Sequence, residues 1–179
     1  MVALDQTPAA TLDDYDLIVV GDDTEDAAAW NDPQVVSALE GSGRLIVGMG
    51  EGGYDFFGQL ELSIGRPYGM HGDGSSIYAI DPNGSLFNTP YPIEISEDEV
   101  LQLYTATGHV ILYLWPVPDT VTALAGSVNN PGYYPLAHEH DRYVFWGFTE
   151  SPLKMTGVGK ILFINVVIWT ANAGWEIEI

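Results

Sequence analysis

Apolar positions along the chain fall into short runs broken by Gly, Pro, Asn and Asp. "YDLIVVGDDTED" (15–26) carries a β-branched apolar run ending in Gly21 and an acidic cluster, which predicts a buried strand emptying into a loop. In "NDPQVVSALEGSG" (31–43), Asp32 is placed as an N-cap, Pro33 at the first helical position, and Val35, Val36 and Leu39 on one face, with glycines closing a short helix. "RLIVGMG" (44–50) predicts a second buried strand. Strand, helix, strand at this spacing is a βαβ unit, which implies a parallel sheet covered on both faces.

In "EGGYDFFGQLELSIG" (51–65), Tyr54, Phe57, Leu60 and Ile64 follow helical spacing, and the glycines ahead of them predict a turn before the helix begins. The middle of the chain, rich in Gly, Pro, Asn and Asp, reads as ordered loop with one strand at "SIYAI" (76–80). "SEDEVLQLY" (96–104) sets Ser96 and Glu99 in capping-box spacing and predicts a short helix. Strands are expected at 109–115, 120–126 and 141–148, and a largely buried helix from about Thr156 to Asn172. The whole, residues 1–179, reads as a single α/β domain. Only one βα unit precedes residue 48, so the chain is expected to be a piece of a larger protein, truncated at its N-terminal side, or to complete its sheet through a partner.

Composition narrows the function classes. Five Lys and Arg against 25 Asp and Glu give a formal net charge of -20, which repels phosphate backbones and anionic lipid, so nucleic acid is not expected as a partner. The charge suits a secreted or surface protein, a halophile or a cation binder, and an extracellular or cell-surface location is favoured over the cytoplasm. The chain has no Cys, which removes disulfides, thiolate metal sites and thiol nucleophiles. No window is apolar for long enough to span a membrane.

Candidate chemistry gathers at "GMGEGGYDFFG" (48–58). Gly48, Gly50 and Gly53 satisfy G-x-G-x-x-G after a strand, yet no acidic residue ends a following strand and Glu51 would oppose a pyrophosphate; no cofactor is expected. The second template is a nucleophile elbow, with Gly48 and Gly52 flanking position 50, which is itself Gly.

The segments "YDLIVVGDD", "RLIVGMGEGGYDFFGQLELSIG" and "DRYVFWGFTESPLKMTGVGKILFINVVIW" resemble the class I glutamine amidotransferase-like superfamily, in particular its ThuA-like, non-amidotransferase branches, over roughly residues 15–172. The resemblance implies a three-layer flavodoxin-like fold, with a mostly parallel sheet and helices on both faces. It also implies a Cys-His-Glu triad, whose members fall here on Gly50, Phe148 and Glu150. A Gly cannot attack a carbonyl and a Phe cannot take a proton, so triad hydrolysis of glutamine is excluded on residue chemistry.

Glu51, beside a helix N-terminus, is expected to be held as the anion with a lowered pKa, a poor general base. His71 lies in a Gly-rich loop expected near the elbow. His138 and His140 would share one face of a strand, but no third metal ligand is indicated and an exposed hairpin is the plainer reading; no metal is expected. The acidic run Asp22, Asp23, Glu25 and Asp26 reads as a solvated face. Trp146, Tyr54, Tyr68 and Tyr78 offer an aromatic sugar-binding surface or, more simply, core packing.

The sequence therefore predicts a catalytically inactive amidotransferase-like domain serving as a structural, assembly or ligand-binding module of a larger surface or secreted protein. Gly50, Glu51, Tyr54 and His71 are the candidate ligand contacts, for a carbohydrate or other small molecule, and a homo-oligomer or flanking domains are the candidate partners. The alternative is a hydrolase or sugar-modifying enzyme using Glu51, His71 or Glu150 at the strand ends. A deep polar cleft with Glu51 and His71 within about 4 Å favours the enzyme, and a filled site the module.

Overall fold

The computed structural model describes residues 3–9, 11–26, 28–96 and 99–173. Its elements in chain order are β1 (Leu17–Val20), α1 (Pro33–Gly41), β2 (Leu45–Met49), α2 (Gly50–Gln59), β3 (Gly69–Gly72), β4 (Ser76–Ala79), α3 (Ser85–Asn88), β5 (Val100–Gln102), β6 (His109–Tyr113), β7 (Val121–Ser127), β8 (Tyr133–Tyr134), β9 (Leu136–Glu139), β10 (Tyr143–Trp146) and α4 (Gly157–Ala173). The expected βαβ unit forms. Asp32 accepts the Gln34 N–H at 2.9 Å ahead of Pro33, so α1 starts at its predicted cap.

A seven-stranded sheet runs β1-β2-β10-β9-β7-β4-β5. Its β1, β2 and β10 are parallel, and every pairing from β10 outward to β5 is antiparallel. For β9 and β10 a short connection requires this: they are joined by a tight turn in which His140 and Asp141 take positive φ, 55° and 51°, and so short a link serves antiparallel neighbours alone. A second, three-stranded sheet, β3-β6-β8, is antiparallel throughout.

Side chains alternate between two cores. Ile46, Tyr143 and Phe145 point into one, shared with Val35 and Leu39 of α1, Phe56 and Phe57 of α2, and Val110 and Leu112 of β6. Val47, Val144 and Trp146 point into the other, with Leu162 and Val166 of α4 and Leu86 and Phe87 of α3. Helices thus cover both faces, the three-layer flavodoxin-like α/β arrangement, and β2 and β10 read as unbroken apolar runs because neither face sees water. Arg142 ties the layers together, donating through Nε to Arg44 O (2.9 Å) and through Nη2 to Leu39 O (3.3 Å) and Glu40 O (2.5 Å) at the C-terminal end of α1. On the opposite face Asn165, fully buried in α4, exchanges hydrogen bonds with the backbone of Tyr91.

Three local expectations are corrected. The helix expected from Ser96 is strand β5: the Ser96 N–H does donate to Glu99 Oε2 at 2.8 Å, but Leu101 is buried and pairs with Ile77 on β4, and tertiary burial overrides the cap signal. Helix α2 has no turn before it and begins at Gly50 itself. The exposed hairpin expected at 136–140 is instead the buried interior strand β9. His138 lies on it and His140 in the turn beyond it, so the two imidazoles do not share a strand face. Among the described residues, no helix is long and apolar enough to cross a membrane.

Candidate functional site

The three parallel strands end side by side, and residues just past their ends meet: Asp22 two positions after β1, Gly50 directly after β2 and Phe148 two positions after β10. This is where loops converge in an open α/β sheet. Gly50 has φ 47°, the left-handed bend of an elbow crest. A Cβ there would overlap the carboxylate of Asp22 and lie 3.0 Å from Phe148 O. Asp22 Oδ1 accepts the Glu51 N–H at 2.9 Å, the backbone donor that follows the crest. The free N–H at the start of α2 is thereby taken by an internal carboxylate.

The neighbouring glycines serve packing. A Cβ on Gly48 would lie 2.8 Å from Gly53 Cα and against the Phe57 ring. A Cβ on Gly52 would run into Gly21 O and Thr24 Oγ1. The G-x-G-x-x-G spacing therefore seats α2 directly on β2 and on the loop after β1.

Glu51 is 4% exposed. Its Oε1 lies 2.5 Å from Nε2 of His71, whose side chain is 74% exposed on β3, and its Oε2 lies 3.7 Å from Arg66. Neither oxygen accepts an aligned hydrogen bond. Arg66 also pairs closely with Asp55, which accepts the Asp26 N–H at 2.8 Å. Burial pushes the Glu51 carboxyl up from its ordinary value, against the pull of His71 and Arg66, with Glu25 and Asp55 adding to the rise. The lowered value expected at a helix N-terminus is corrected: Asp22 holds the Glu51 N–H, and the Glu51 side chain turns into a desolvated position.

Asp22 is likewise raised, chiefly by burial and then by Glu25, Asp23 and Glu150, with the Glu51 N–H opposing. Glu150 is half-buried, and its charge bears on Asp22 and on Tyr104. Among the described residues Glu150 forms no ion pair with His71, so two of the three candidate reactive groups come together and the third does not. Tyr104 is wholly buried, stacks on Phe148 with ring centroids 5.0 Å apart, and accepts the Trp146 Nε1–H at 3.1 Å. Burial pushes its phenol up to about 12.

Of the candidate aromatic contacts, Trp146 and Tyr54 are buried, and the Tyr54 hydroxyl accepts the Gly69 N–H at 2.6 Å. Tyr68 and Tyr78 remain at the surface. His109 on β6 is buried edge-on to Phe148, with both ring nitrogens lacking partners, and burial lowers its pKa. A cavity of about 780 Å³ lies beside β1 and reaches Gly21, Asp23 and Thr24 of the loop after it, and one of about 350 Å³ lies beside β4 and β5. Among the described residues no three His, Asp or Glu side chains converge as metal ligands would.

Sequence reading missed Asp22, Arg66 and Tyr104. For Asp22 a signal existed, since it lies two positions past the end of the first parallel strand, where side chains enter the strand-end crevice.

No family model matches the chain, and no characterised protein matches it in sequence. In structure it is similar to a candidate GMP synthase component from Thermoplasma acidophilum, with 13% identity and a TM-score of 0.54, over 98% of this chain and 81% of that one. The likeness is one of fold, and it meets the amidotransferase-like resemblance read from the sequence at that level.

Proposed function

We propose that the chain is a catalytically silent amidotransferase-fold domain that binds a ligand at its strand ends without converting it, as a module of a larger surface or secreted protein. The observation that carries this reading is Asp22: its carboxylate fills the space that any side chain on the elbow crest at Gly50 would need, and it holds the backbone N–H an oxyanion would use. The ThuA-like branch fits the same absence of a Cys and of a His at positions 50 and 148. Glu51, His71 and Arg66 form the recognition edge, a desolvated carboxylate under an exposed imidazole, suited to a ligand that brings hydrogen-bond donors.

Ammonia release from glutamine should stay at the uncatalysed level, and Gly50→Cys should gain none, because the new side chain would enter the Asp22 carboxylate. Turnover by the unaltered chain that vanishes in Glu51→Gln overturns the reading.

A hydrolase or sugar-modifying enzyme is the second reading, favoured by the 2.5 Å contact of Glu51 with His71 and by the raised Glu51 carboxyl, which is a general acid's signature. Release of a chromophore from aryl glycosides or esters, lost in both Glu51→Gln and His71→Ala, is the result that would replace the first reading with this one.

A further inference from the structure

Away from the elbow, the large sheet ends in an open strand. Among the described residues β1 is terminal and pairs with β2 alone. The Ile46 N–H donates to Arg142 O on the β10 side, so backbone alternation turns Leu45 and Val47 toward β1. In the parallel register that places Val19 opposite Val47, the amides of Ile18 and Val20 serve the pairing, and the N–H and C=O of Leu17 and Val19 face outward. Among the described residues these outward groups have no other backbone partner.

Alongside this edge runs a cavity of about 780 Å³, walled by Leu4, Leu12, Tyr15 and Leu39 together with the strand. Val19 is 45% and Tyr15 51% exposed, so apolar surface continues out of it. Both ends are acidic: Asp13, Asp14 and Asp16 precede the strand, Asp23, Glu25 and Asp26 follow it, and all six are exposed. Among the described residues Arg44 pairs with Asp13 alone of these carboxylates, at 3.3 Å.

We propose that this edge accepts an extended segment of a partner protein, apolar at alternate central positions and rich in Lys or Arg at both ends. The segment adds a strand to β1 through the Leu17 and Val19 backbone and seats an apolar side chain in the cavity. A second copy of this chain is the wrong occupant, because it would bring the same carboxylates opposite themselves on a molecule of formal net charge -20. Acidic flanks also deter indiscriminate edge pairing, and a basic segment is the partner those charges select. The cavity reaches the loop after β1 that abuts α2 at Gly52, but Glu51, His71 and Arg66 do not line it, and the proposal stands whichever reading of those three holds.

The probe is a fluorescently labelled peptide of alternating valine and threonine with two lysines at each end, titrated into the full chain. Binding is expected at low salt, weakening about tenfold or more as salt rises, and a glutamate-flanked peptide with the same centre should not bind. Val19→Pro removes the outward N–H at a place where edge strands tolerate proline, and should weaken binding about tenfold or more with the melting temperature unchanged. If that variant does not fold, peptide-induced shifts of the Leu17 and Val19 amides in the unaltered chain give the same answer. No binding of the lysine-flanked peptide, equal binding by a folded Val19→Pro, unshifted Leu17 and Val19 amides, or a dimer of the chain that the peptide fails to dissociate would each overturn the proposal.

Discussion

The parallel strands β2 and β10 inside the large sheet and the antiparallel strands β4 and β5 at its far end solve different packing problems. On the parallel side, Ile46, Val47, Val144, Phe145 and Trp146 are all wholly buried, and Gly48 meets Gly53 backbone to backbone. At the antiparallel end burial alternates: Ile77 and Leu101 are inside, while Tyr78 and Val100 stand 36% and 49% exposed. There the Tyr78 ring lies over Gly126, where a Cβ would collide with it. Both regions need a glycine, but the obstacle is fixed backbone in one case and a movable surface side chain in the other. Covered strands leave no slack, and that rigidity is why the strand-end groups can hold such close approaches.

Paired substitutions turn this contrast into a number. Gly48→Ala should destabilise by about 3 kcal/mol or more, since neither β2 nor α2 can retreat, whereas Gly126→Ala should stay within about 1 kcal/mol as Tyr78 swings out. Denaturant unfolding of the two variants checks it, and equal losses would erase the distinction.

A smaller effect is set by pH and belongs to the interior rather than to either end. His109, beside Phe148, is buried with a lowered pKa, so between its native value and the ordinary value of about 6.5 the unfolded chain binds more protons than the folded one. Its stability contribution is complete above about pH 6.5 and is lost as pH falls below it. His138 shifts the same way. His109→Gln should therefore flatten part of the decline that sets in below about pH 6.5, in melts recorded across a falling pH series.

The smallest expected change concerns Asp22, whose raised carboxyl has the opposite sign. The folded state holds its proton more tightly, so that contribution is present below the ordinary value of about 3.9 and lost as pH rises through the raised one. Asp22→Asn keeps an acceptor for the Glu51 N–H and sheds the charge, and should gain up to about 1 kcal/mol at pH 7, shrinking below about pH 4. A loss at pH 7 would mean that the anion itself is needed at the elbow.

What could be read from the sequence follows the range of the forces involved. α1, β2 and α4 rest on local marks, a cap at Asp32 or a predominantly apolar run, and they stand where expected. β5 did not, because the Ser96–Glu99 contact that signals a helix does form and the chain then leaves it to bury Leu101. β9 was disguised by Glu139, whose buried carboxylate accepts from Ile64 N–H at 3.2 Å and from the Thr120 hydroxyl at 3.1 Å. Those partners lie far away in sequence, and no local pattern announces them. The bend at Gly50 was legible as a bend, but its occupant was hidden because Asp22 looks like any member of an acidic run until β1 and β2 are laid side by side.

The clamp made by Arg142 bears on how the protein reaches this state. It grips Arg44 from 98 positions away, and β10 must slot in beside β2 before the first fifty residues acquire their second neighbour. Assembly is thus governed by a distant encounter, which favours slow kinetics. During synthesis the early βαβ unit has to wait, half-wrapped, for the strand that completes it.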